Sequence, residues 1–156
     1  MDAQTNIRRA VQDDAESIAG LVAEAYSSYI PRIGKKPGPM LDDYREVVAD
    51  FSVFVLAKDA EIMGVLVLKV QKPALLLENI AVLPRHKGQG IGKALMAFSE
   101  DYGRQAGCEA IELYTHQLMT ENIALYKGLG YQETRRATEN GFARVFMRKP
   151  IAAGSA

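Results

Sequence analysis

A single cysteine, Cys108, leaves the chain without an intrachain disulfide. That points to a reducing compartment, and the cytoplasm is expected. Two distant histidines and one cysteine cannot assemble a structural zinc site, so no metal is expected. Charge of one sign is also missing. Nineteen basic residues balance nineteen acidic ones, without the basic excess of a bulk nucleic-acid binder. Long apolar runs are absent too. The stretch Ile62 to Leu68 is too short to span a bilayer and is interrupted by Gly64. The first ten residues lack the apolar segment of a signal peptide. Neither a nucleic acid nor a membrane is expected as a partner. There is no internal repeat and no long linker. The 156 residues, 48% of them hydrophobic, suit one domain over 1–151, with a small polar tail at 152–156 expected to be flexible.

Periodicity predicts a mixed α/β architecture. Ile7 to Val11 reads as a strand. Asp13 and Glu16 resemble a capping box, and Ile18, Leu21, Val22 and Ala25 recur at helical spacing up to about Tyr26. Three prolines and two glycines between Ile30 and Pro39 predict a long loop. A short helix follows at 41–49. Strands are predicted at 51–57, 62–70 and 75–82, the first two as an antiparallel hairpin. A helix starts at Ile91 with Leu95, Phe98 and Tyr102 on one face, and Gly107 closes it. A strand at 110–114, a helix at 121–129 and a strand pair at 131–137 and 142–147, turned at Asn140-Gly141, complete the order.

The most informative stretch joins Asn79-Ile80-Ala81-Val82-Leu83-Pro84 to Arg85-His86-Lys87-Gly88-Gln89-Gly90-Ile91-Gly92-Lys93. A strand runs into a glycine-rich loop that opens a helix. The first amides of a helix lack internal partners and carry partial positive charge. Glycines let the backbone approach an anion closely, which makes a pyrophosphate site. A P-loop fails twice here, at Lys87 and Ala94. The dinucleotide fingerprint fails at Lys93 or Leu95, depending on where it starts.

Lys87-Gly88-Gln89-Gly90-Ile91-Gly92 resembles the acyl-CoA loop of the GNAT superfamily of N-acetyltransferases, with Lys in place of the usual Gln or Arg. Ala124-Leu125-Tyr126-Lys127-Gly128-Leu129-Gly130-Tyr131 is similar to the same family's second signature. The resemblance covers about residues 5 to 149. It implies a mostly antiparallel mixed sheet of six to seven strands, flanked by about four helices and splayed between strands 4 and 5. It also implies acetyl-CoA as co-substrate and a primary amine that attacks it directly. Ile80, Ala81 and Val82 then offer backbone groups to the pantetheine arm. The amides of His86, Lys87, Gly88, Gln89, Gly90, Ile91 and Gly92 hold the pyrophosphate, with Lys93 adding charge.

Within the same resemblance, Tyr126 is the proton donor to the leaving thiolate. Glu78 is the candidate base, against a reading as a surface carboxylate, with Glu112 and Tyr114 in reserve and His116 as a proton relay. The family often has Asn where this chain has Met119. Asn122 either replaces it or caps the helix. The first helices wall the acceptor pocket, which assigns Tyr26, Tyr29 and Arg32 to acceptor binding, Arg32 either clamping a carboxylate or standing as a solvated charge. A small-molecule amine is preferred over a protein N-terminus or lysine. A non-catalytic acyl-CoA sensor and a nucleotide-binding module are the competing readings. Family members are often dimers, so a homodimer is among the expected assemblies.

Overall fold

The computed structural model describes residues 6–151, and the tail expected at 152–156 lies outside them. Seven strands form one sheet in the order β1-β2-β3-β4-β5-β7-β6. They are β1 (Ile7–Arg9), β2 (Ser52–Lys58), β3 (Glu61–Gln71), β4 (Ala74–Val82), β5 (Ala110–His116), β6 (Gln132–Glu139) and β7 (Phe142–Pro150). The helices are α1 (Ala15–Tyr26), the single turn α2 (Ile30–Ile33), α3 (Tyr44–Asp50), α4 (Ile91–Gln105) and α5 (Thr120–Gly128). Among these residues no helix is long and apolar enough to cross a membrane. The chain divides into two compact units. One holds the described residues through Lys69 together with Asn79–Ser99; the other holds Val70–Glu78 and the described residues from Glu100 on.

In the first unit β1, β2 and β3 pair antiparallel. Asp59 and Ala60 take φ of 53° and 68°, the double left-handed turn that matches strand twist. Ile18, Leu21 and Val22 are the buried stripe of α1. The proline-rich segment is not the continuous loop its composition predicts. Pro31 sits in the first turn of α2, where a missing N–H costs nothing, and Gly34 at φ 89° ends that turn. The helix expected at 41–49 starts only at Tyr44, because the Asp43 side chain caps the Arg45 N–H at 3.0 Å.

The expected Asp13–Glu16 box is replaced by Asp14. Its carboxylate accepts the Val11 N–H at 2.8 Å and both Arg8 guanidinium nitrogens, at 2.8 and 3.0 Å. The Arg8 hydrogen bonds hold the Asp14 carboxyl below the usual range, against the opposing effect of burial. A depressed folded-state pKa means stability that is present above the unfolded value, about 3.9, and lost as pH falls through the folded value. Asp14→Asn should therefore cost about 1–2 kcal/mol at pH 7, Arg8 being half exposed and screened. The gap between variant and parent in urea melts should narrow steadily as the pH is lowered below the unfolded value.

In the second unit β4 and β5 run parallel, paired from Ala74–Ala110 to Leu77–Leu113. The ladder ends there, although β4 continues to Val82 and β5 to His116. β5 pairs antiparallel with β7, and β7 with β6. Ile111, Leu113, Val145 and Met147 are buried, while their neighbours Glu112, Tyr114, Phe146 and Arg148 point the other way. Asn140 and Gly141, at φ 51° and 79°, make the predicted hairpin turn.

Candidate functional site

The glycine loop lies in the first unit. Pro84–His86 form one 3-10 turn, in which the His86 N–H donates to the Leu83 carbonyl at 2.9 Å and the Lys87 N–H to Pro84 at 3.2 Å. These two amides, expected to face a pyrophosphate, are therefore spent inside the turn. Gly88 and Gly90 adopt φ of 84° and 81°, a conformation that a side chain would strain. The Gly90 carbonyl accepts the Ala94 N–H at 3.0 Å. Gly90 is thus the last residue before α4, and the Ile91, Gly92 and Lys93 amides have no carbonyl one turn earlier. Gly88, Gln89, Gly90 and Lys93 are exposed. The donor set for an anion narrows to Gly88–Lys93.

The cationic side chains beside the loop are less available than the sequence implies. Arg85 bonds to Glu61, with Glu24 at 3.8 Å, and His86 Nε2 lies 3.1 Å from the Glu61 carboxylate. Arg85, then His86, holds the Glu61 carboxyl below the usual range.

The end of β4 is anchored by a network that sequence reasoning missed. The Tyr26 hydroxyl lies 2.7 Å from Asn79 Oδ1 and 3.1 Å from the Ile80 carbonyl. Asn79 Nδ2 donates to the Tyr44 hydroxyl at 3.2 Å, which itself donates to the Pro39 carbonyl at 2.7 Å. Asn79 and both tyrosines are buried, and burial, with the Asp42 carboxylate second, pushes the Tyr44 hydroxyl up. Tyr26, expected in an acceptor pocket, thus bonds to β4. Tyr29 is buried beside it, with the exposed Arg32 guanidinium 5.2 Å from its ring centroid.

Backbone direction sorts Ile80, Ala81 and Val82. The Leu83 N–H donates to the Met63 carbonyl at 2.9 Å, and the Ala81 carbonyl lies 3.5 Å from where a Gly64 Cβ would stand. Ala81 and Leu83 therefore face β3. Successive residues of a strand alternate, so Ile80 and Val82 present their amides and carbonyls to the opposite edge.

The second unit gathers the proton-transfer candidates. Glu78, Glu112 and Tyr114 line one cleft of about 310 Å³ with Leu76, Thr134, Arg135 and Phe146. Glu112 lies 3.6 Å from the Arg148 guanidinium. The relay candidate His116 accepts the Leu118 N–H on Nδ1 at 3.1 Å. On α5, Tyr126 is buried against the Tyr131 ring, with centroids 5.8 Å apart. Asn122 donates to the Met119 sulfur at 3.6 Å, as does Thr115, so Met119 is a packing centre at the start of α5. Cys108 is buried and burial pushes its thiol up, away from the reactive thiolate. Among the described residues no group of three or more His, Cys, Asp or Glu could hold a metal ion.

A model of the acetyltransferase (GNAT) family matches residues 18–131. N-acetyltransferase family 8 member 2 of Rattus norvegicus is 32% identical over 53% of this chain and 39% of its own length. The mycothiol acetyltransferase of Clavibacter sepedonicus is 30% identical over 78% of this chain and 40% of its own. The chain thus spans about two fifths of the length of these curated relatives. Among solved structures, the PaiA N-acetyltransferase of Thermoplasma acidophilum, in complex with coenzyme A, superposes with a TM-score of 0.75 at 18% identity, over 92% of this chain and 97% of that one. That likeness is one of fold, and it agrees with the seven-stranded order and the parallel pairing of β4 with β5. With the glycine loop and the Leu-Gly-Tyr end of α5 both inside the matched region, the chain belongs to the acetyltransferase (GNAT) family.

Proposed function

We propose that the protein is an acetyl-CoA-dependent N-acetyltransferase that acts on a primary amine by direct attack. The observation that carries this reading is the pair of exposed, left-handed glycines, Gly88 and Gly90, leading directly into the first turn of α4. The amides of Gly88–Lys93 then hold the pyrophosphate, with Lys87 and Lys93 adding charge. The backbone of Ile80 and Val82, which faces away from β3, pairs with the pantetheine arm as an added strand would. An amide of that edge, at Ile80, polarises the thioester carbonyl as negative charge develops on its oxygen.

The amine must arrive neutral. An alkylamine of pKa about 10.4 is neutral in only about one molecule in two thousand at pH 7. Glu78, directly or through water, takes the proton. The nitrogen attacks the thioester carbon and gives up its second proton through water to solvent, the C–S bond breaks, and Tyr126 donates its hydroxyl proton to the departing thiolate and regains one from solvent. The fold-level partner in the solved coenzyme A complex supports the choice of donor. The mixed-charge cleft around Glu78 supports a small-molecule acceptor.

The test has two arms. Calorimetric titration with CoA, ATP and NAD should give saturable binding for CoA alone, weakened by Gly90→Val. Acetyl-CoA-dependent thiol release over a panel of amines should then identify turnover. Binding without release on any amine would favour an acyl-CoA sensor. Equal binding of ATP and CoA would favour a nucleotide module.

A further inference from the structure

The cleft of the second unit holds a side chain to which the reading above gives no role. The β6–β7 ladder slips by one residue between the Glu133–Met147 and Arg135–Phe146 pairs, leaving Thr134 as the extra residue. A bulge of this kind re-aims the side chain beside it. The Arg135 guanidinium carbon lies 3.7 Å from the centroid of the Phe146 ring. Arg136, Arg144 and Arg148 each face a carboxylate, at 2.8, 2.8 and 3.6 Å. Arg135 makes no ion pair among the described residues. A guanidinium held on a ring keeps its donor fork outward and loses less freedom on binding. That fork matches a carboxylate or phosphonate in two parallel hydrogen bonds.

The rest of the cleft supplies the other half of a recognition pattern. Phe146 stands opposite Tyr114 in register, with ring centroids 5.6 Å apart. Glu78 and Glu112 lie on the β4 and β5 side of those rings and line the same cleft. Guanidinium, two aromatic rings and carboxylates therefore follow one another across the strands. From β4 to β7 is two strand spacings, about 10 Å.

We propose that this cleft takes a small amine bearing an anionic oxygen group at its far end, with Arg135 holding the anion and the amine turned toward Glu78. Calling that ligand the acetyl acceptor rests on the acetyl-transfer reading; the anion clamp is a binding claim that stands apart from it. Arg135 thus takes the place that the sequence suggested for Arg32.

Matched probes test it on the full chain. 4-(Aminomethyl)benzoate is titrated against benzylamine, and 3-aminopropylphosphonate against propylamine, by calorimetry without acetyl-CoA. The anionic member of at least one pair should bind about tenfold tighter, the lower end for a charge-assisted pair because Arg135 is exposed. Whichever pair shows the preference identifies the anion. The ratio should vanish in Arg135→Gln, survive in part in Arg135→Lys, and stay unchanged in Arg136→Gln. Equal affinities within both pairs, a ratio that persists in Arg135→Gln, or no binding of any probe overturns the clamp. Thiol release measured alongside separates the two ideas. Preference without release removes acetyl transfer and keeps the clamp. Release from both members at equal kcat/KM keeps transfer and removes the clamp.

Discussion

Tyr126→Phe should lower turnover by about 10²- to 10⁴-fold while CoA affinity stays within about twofold, the range expected when a positioned proton donor is removed. The phenyl ring of the variant keeps the aromatic packing at this position. Tyr126 is buried, and its ring packs against that of Tyr131 at 5.8 Å. That contact does not depend on the hydroxyl. The matching control is Tyr131→Phe. The Tyr131 hydroxyl is buried with no hydrogen-bond partner among the described residues, and burial, with Glu100 and Tyr126 following, pushes it up. Deleting an unsatisfied buried hydroxyl should be neutral or slightly stabilising and leave turnover unchanged. Single-turnover thiol release on both variants, with thermal melts, separates the roles. Full turnover in Tyr126→Phe would transfer the acid role to another group.

The parts of this fold that the sequence announces are those with local causes. The glycines of the loop are needed for their left-handed φ. The Asn140-Gly141 turn and the amphipathic stripe of α4 likewise follow from residues close together in the chain. What the sequence hides is contact between distant segments. Asn79 looks like any polar strand residue until Tyr26 and Tyr44, 53 and 35 positions away, bring their hydroxyls to it. Arg135 is concealed differently. Its place on Phe146 depends on Thr134 being the extra residue of a bulge, and no spacing in 131–137 marks that slip. The proline-rich segment misleads because proline forbids a helix interior but suits a first turn, which is where Pro31 stands. The amides of His86 and Lys87 belong to a third kind. The motif places them beside the glycines, but the 3-10 turn uses their hydrogen bonds first.

Gly64→Ala should be costlier than any surface change, although it adds one methyl group. A Cβ at Gly64 would stand 2.8 Å from Ile91 Cγ2 and 3.0 Å from Leu95 Cδ1, closer than packed carbons tolerate. Leu95 can swing its terminal methyl aside. Ile91 is β-branched and held in one rotamer within a helix, so its Cγ2 moves only if the backbone moves. Ile91 is also the first residue of α4, immediately after Gly90. Displacing it shifts the amides that the acetyl-CoA reading assigns to the pyrophosphate. The expected cost is about 1–3 kcal/mol, or roughly 3–10 °C in Tm for a chain of this size. CoA affinity should fall along with it. Ile91→Leu supplies the discriminating second change, since leucine keeps the volume and has no Cγ2. If the clash at Cγ2 is the cause, the double variant should recover most of both losses, a positive coupling that two independent defects would not give. If Gly64→Ala alone melts and binds CoA like the parent, the close approach of α4 to β3 does not set the helix start, and the position of the loop must be fixed from the strand side by Tyr26 and Asn79.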